Sequence, residues 1–271
     1  MDLLRWVLFG VLPAIAAVLL GVGVGGPRWL AIALATALCV PFGMAIDWPG
    51  WPWDLDGWRG RPQPWLWWCL AAGGVLGTCF DARLLPKWLL APLEVALVAF
   101  VPWLLSSQLR ADNTLFGCVV WLGVAWAVTF GTWWVVRRAG RARPGMLVPL
   151  VGMLALAADA WLLRRHGAGL AWEISGVGAI ALLVAVGTAT WRRPFACGTG
   201  AALCITIAHV GLLWCGHGSR ELRSSAFLLA LAVPWPLWLP TTKAFAERKQ
   251  TGAVLAVLAA LLLALAVVFV R

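Results

Sequence analysis

The chain has 271 residues, of which 62% are hydrophobic and 12% charged, and its mean hydropathy is +0.88. That balance excludes a water-soluble domain, because too few polar residues exist to cover a surface facing water. The net charge of +10 does not point to nucleic acid either. The basic residues stand in ones and twos at the ends of apolar runs, where they set orientation and meet anionic headgroups rather than tracking phosphates.

About ten apolar stretches fill the chain. A helix crossing the roughly 30 Å hydrocarbon core needs about 20 such residues, and in lipid each backbone N–H must be satisfied within its own segment. Continuous runs rich in Ala, Leu and Val meet that need as helices, not as alternating barrel strands. The expected fold is therefore an all-α, polytopic transmembrane helix bundle of about ten spans, forming one integral membrane domain over 1–271 with lipid as its partner.

In chain order the expected spans are 3–24, 29–46, 65–80, 84–105, 114–136, 146–163, 169–190, 195–216, 226–242 and 251–270. The first is too long for a signal-peptide core and lacks a basic n-region, so it reads as a retained span. A basic loop, Arg137 to Gly145, is expected after the fifth. Alternate sides carry nine and twelve Lys and Arg residues. The small excess puts the second set, which includes the 137–143 arginines, in the cytoplasm and both termini outside. The absence of Tyr, with 18 Arg against three Lys, fits GC-rich codons and a bacterial inner membrane.

Short motifs recur about half a chain apart. Trp58-Arg59 before the third span matches Trp191-Arg192 before the eighth, Val101-Pro102-Trp103 matches Val233-Pro234-Trp235, and Pro13 matches Pro149, at offsets of 132 to 136 residues. Five spans per half would make the halves 1–136 and 146–271 inverted repeats, a transporter architecture. Chance recurrence in a chain rich in Trp, Pro and Arg explains the matches equally well. In span count and size alone, the outline is similar to that of drug/metabolite-type transporters.

Ionisable residues inside spans are costly and usually face protein or water. Glu94 lies mid-span with no basic neighbour one helical turn away, so it is either a proton- or cation-binding carboxylate or the buried partner of another helix. Asp159, with Arg164 and Arg165 five and six residues further on, either pairs with them or belongs to a substrate or ion pathway with Glu94 and His209. Glu173 is expected to reach the interface, and His209 to bond to a neighbouring helix or to titrate if solvated. Pro92, Pro102, Pro234 and Pro236 interrupt two spans at matching places. Kinked backbones of that kind line transporter paths, though proline also bends membrane helices for packing alone.

The segment 47–58 carries Asp54 and Asp56 among tryptophans, and seven of the chain's 21 Trp fall between Trp48 and Trp68. An interfacial loop is the expected role, and the Asp-x-Asp pair is a weak candidate for holding Mg²⁺ beside a lipid-linked phosphate. The seven cysteines lack CxxC spacing and read as small hydrophobes, with His217 beside Cys215 a thin metal signal. Gly21-x-x-x-Gly25 and Gly73-x-x-x-Gly77 suit close helix approach, including a homodimer face. No cofactor motif is present.

Three functions remain open from the sequence. The first is movement of a small solute or lipid through a path containing Glu94. The second is a membrane enzyme or enzyme subunit acting on a lipid-linked substrate through Asp54 and Asp56. The third is a non-catalytic scaffold in a membrane complex. An enzyme is the less favoured class, since no loop is long enough to fold a catalytic domain.

Overall fold

The computed structural model describes residues 3–45, 63–104, 114–142, 145–191, 199–218, 224–245 and 248–270. Among these residues the secondary structure is helical, with no strand. The first rod joins α1 (Leu3–Trp6) through a π-helical turn, Val7–Val11, to α2 (Leu12–Gly25). Then come α3 (Leu30–Ala45), α4 (Gln63–Asp81), α5 (Lys87–Leu104) and α6 (Leu115–Ala142). The remainder is α7 (Leu147–Arg165), α8 (Gly169–Trp191), α9 (Thr199–Gly218), α10 (Ser224–Ala232) and α11 (Lys249–Phe269).

Among the described residues, five helical stretches are long and apolar enough to cross a membrane: Leu115–Ala142, Leu147–Arg165, Ala171–Thr188, Gly200–His217 and Gln250–Phe269. Shorter apolar segments include Val7–Gly23, Leu30–Val40, Trp88–Leu104 and Ser225–Thr241. The described residues thus form an all-helical fold with helices of membrane-spanning type.

α9 is the axis of the bundle. Of its Gly200–His217 stretch, 94% is buried inside the protein, against 22% for the spanning part of α6 and 28% for α11. A helix apolar all round is buried all round, and α3 to α8 and α10 pack about it. Small residues permit this crowding. A Cβ on Gly77 would stand 2.7 Å from the Gly200 carbonyl oxygen and 2.9 Å from the Ala31 Cβ. Gly73 likewise faces Ile207, and Gly21 faces Ala33. Gly21, Gly73 and Gly77 thus meet neighbouring helices of the same chain.

α7 and α8 form the most extensive helix pair, joined by a tight turn. The Ala168 N–H donates to the Leu163 carbonyl at 2.9 Å and the Gly167 N–H to the Arg164 carbonyl at 3.2 Å, a Schellman arrangement. It places Gly167 at φ +75°, where a side chain would be strained.

Two sequence expectations change here. The basic loop after the fifth span is helical through Ala142, so Arg137, Arg138 and Arg141 ride on the last turns of α6. Each guanidinium lies over an aromatic ring, a favourable cation–π placement. Arg138 is 5.0 Å from the Trp134 ring, its neighbour one turn back. The ninth expected span is not one α-helix. α10 stops at Ala232 and a 3₁₀ segment, Trp235–Thr241, follows Pro234, because Pro234, Pro236 and Pro240 each lack the N–H an α-helix needs. α5, by contrast, stays α-helical through Pro92 and Pro102.

Candidate functional site

The inward stripe of α5 is Leu90, Glu94, Val98 and Val101, all buried, at the i, i+4, i+8, i+11 spacing of one helical face. A carboxylate on that stripe needs a partner, because burying an unpaired charge is prohibitive. The partner is Arg137 of α6. Its Nη2 lies 2.7 Å from Glu94 Oε2, with side-chain exposures of 14% and 6%. The Trp133 indole N–H, one turn earlier on α6, donates to Glu94 Oε1 at 3.1 Å.

Aromatic rings frame the guanidinium. Arg137 lies 4.7 Å from the Trp133 ring centroid and 5.3 Å from that of Phe80 on α4, and Arg141 lies 5.9 Å from Phe80 on the exposed side. A narrow crevice borders Glu94, lined also by Leu76, Gly77, Phe80, Leu90 and Leu203. It is too narrow for a water molecule. Beside Phe80, the Asp81 carboxylate accepts the Gly200 N–H at 3.2 Å. A negative charge there suits the positive end of α9.

A second polar centre lies on the axis helix. Asp159 of α7 and His209 of α9 are both fully buried, and Asp159 Oδ2 is 2.6 Å from His209 Nδ1. The expected pairing of Asp159 with its own helix-end arginines is therefore overturned. Asp159 faces inward toward α9, whereas Arg164 lies 5.3 Å from the Trp172 ring. Arg165 donates to the Val270 carbonyl at 2.9 Å, closing the end of α11. His209, expected to bond to a neighbouring helix, does so to this carboxylate.

Glu173 does not reach the surface; it is buried near the start of α8, where its backbone carbonyl accepts the Trp6 indole N–H at 3.3 Å. Pro92 is exposed, on the face of α5 opposite Glu94, while Pro102, Pro234 and Pro236 are buried. His217 stacks on Phe227 at 4.4 Å and 11°, which accounts for its place beside Cys215. Among the described residues no cluster of His, Cys, Asp or Glu is close enough to hold a metal ion. Asp54 and Asp56 lie outside the described residues.

Sequence reasoning missed Arg137, Trp133 and Phe80. The signal it had was the Trp133–Arg137 spacing of one helical turn, which keeps both on one face. No family model, curated protein or solved structure matches this chain.

Proposed function

We propose that this protein is a multi-pass transporter that moves a small solute or lipid across the bacterial inner membrane, with Glu94 in its path. In this reading α4 and the four shorter apolar segments cross the membrane as well, giving ten spans, and α5 and the α10–3₁₀ segment are counterparts in two inverted five-helix halves. The observation that carries the proposal is the Glu94–Arg137 pair, buried between α5 and α6 and bordering a closed crevice. Buried pairs contribute little net stability against an apolar alternative, so ionisable groups kept within a membrane bundle are functional candidates by default. Arg137 neutralises Glu94 while the path is closed. A cationic group or a proton on Glu94 competes with Arg137 for the carboxylate, which links occupancy to movement of α6 relative to α5.

The test is labelling of single cysteines at Leu76, Leu90 and Leu203, in a background without the seven native cysteines, using a membrane-impermeant reagent. Access from one or both sides, altered by Glu94→Gln, supports a gated path. Complete protection from both sides in parent and variant makes the pair a structural clamp, and the scaffold reading takes its place.

A further inference from the structure

The Asp159–His209 pair uses one atom of each partner and leaves the other free. Asp159 Oδ1 and His209 Nε2 are buried and have no hydrogen-bond partner in the protein. Buried polar atoms are rarely left so, and an exception calls for an explanation. A third such atom stands on the neighbouring helix: Ser175 Oγ of α8, also fully buried and unpartnered. Ser and Thr within helices commonly return their hydroxyl to their own backbone. Thr129 and Thr206 do so, donating to Ala125 and Ala202 at 2.7 and 2.8 Å, but Ser175 does not.

The packing of α7 on α8 sets where Ser175 lies. A Cβ on Gly152 would stand 3.2 Å from Leu182, and one on Gly178 would stand 2.8 Å from Leu156. Carrying this antiparallel register one turn further puts Ser175 opposite Asp159, since residues 175, 178 and 182 share one helical face. Three unsatisfied polar groups from α8, α7 and α9 thus lie at one level of the bundle.

We propose that Ser175, Asp159 and His209 form a proton-binding site at the centre of the bundle. In the closed protein the pair carries one exchangeable proton and is neutral overall, as burial requires. When the helices part, that proton passes to a water beside Ser175 as hydronium, leaving an Asp159 carboxylate and a neutral imidazole with a net charge of −1. The return step reverses this. Closure of the bundle is thereby tied to proton occupancy, because the deprotonated pair needs water. The proposal goes beyond the Glu94 reading and does not depend on it.

Other ionisable groups on the surrounding helices are otherwise placed. Glu94 on α5 is held by Arg137 on α6, and Asp81 on α4 by the Gly200 N–H. Glu173 lies two residues before Ser175, where its backbone meets Trp6. His217 on α9 stacks on Phe227, and Arg164 and Arg165 are exposed at the end of α7. The thiols of Cys39 on α3 and Cys204 on α9 lie against backbone carbonyls of Trp67 and Ala31, and Cys69 and Cys215 are buried on α4 and α9.

The experiment is solid-state NMR on the full chain in liposomes, with ¹³C-labelled Asp and ¹⁵N-labelled His, and with the proton as probe. The Asp159 carboxyl and the His209 ring nitrogens should shift together in a single step as pH is varied, and His209→Gln should remove that shared step. Ser175→Ala should slow proton exchange at the pair while leaving the melting temperature within a few degrees. It serves as the second variant should His209→Gln fail to fold. Signals that stay fixed over the whole pH range in which the protein remains folded make the pair a static clamp and overturn the proposal. A shift produced by exchanging Na⁺ for K⁺ at constant pH also overturns it, by making the site one for a metal cation. Neither result bears on cysteine access beside Glu94, so the two readings fail separately.

Discussion

Glu94 and Arg137 meet at 2.7 Å across the interface of α5 and α6, although 43 positions separate them in the chain. Each explains the other. Glu94 tolerates burial because a guanidinium reaches it, and Arg137 stays in the helical end of α6 because a carboxylate and two rings receive it.

Breaking this pair from one side should cost more than removing it. Glu94→Gln or Arg137→Gln leaves one buried charge uncompensated, at about 3–5 kcal/mol. The double variant leaves none and should recover most of that loss. Thermal unfolding of the four proteins in one detergent checks this, and a double variant less stable than both singles would contradict it.

Trp133 both donates to Glu94 and stacks under Arg137. Trp133→Phe keeps a ring but loses the donor. A hydrogen bond to a charged group contributes about 1.5–3 kcal/mol, so the variant should melt at a lower temperature than the parent. In the Glu94→Gln background its effect should shrink, a coupling that a double-mutant cycle measures directly.

The crossing of α4 and α9 leaves no room for a methyl group. Gly77→Ala puts a Cβ against the Gly200 backbone, and overpacking of this kind costs about 1–3 kcal/mol or more. Gly123→Ala on the outer helix α6 meets nothing within 4 Å and should be neutral or stabilising by up to about 1 kcal/mol. Folded yield and melting temperature should separate the two variants clearly.

Cys39, Cys69, Cys118, Cys204 and Cys215 are buried, whereas Cys79 is partly exposed. A maleimide added to the folded protein should modify Cys79 before the buried five, which it should reach only on denaturation. Peptide mapping by mass spectrometry gives the order. Rapid modification of Cys204 in the native state would show that the axis helix is not enclosed.

The all-helical class, the approximate limits of the helices and the need to shelter Glu94, Asp159 and His209 were legible in the sequence. They depend on local quantities: the length of an apolar run, the absence of an N–H at proline, and the cost of placing a charge in an apolar segment. Glu94 was visible as a buried carboxylate for that reason, but its partner was not. Arg137 reads as one more arginine at a span end, and only the packing of α6 beside α5 turns its side chain inward.

The same limit explains Asp159. Its nearest cations in the chain are Arg164 and Arg165, but α7 turns Asp159 toward the axis, and the group it meets is His209, 50 positions away. Sequence by itself determined which apolar runs must be helical and which polar groups inside them are costly to expose to lipid. Tertiary structure alone decided which of them meet, because a charge's partner depends on which helix faces turn toward each other and at what level. The small residues at the helix crossings, Gly77 against Gly200 and Gly152 between Ile205 and Leu182, set those faces and levels.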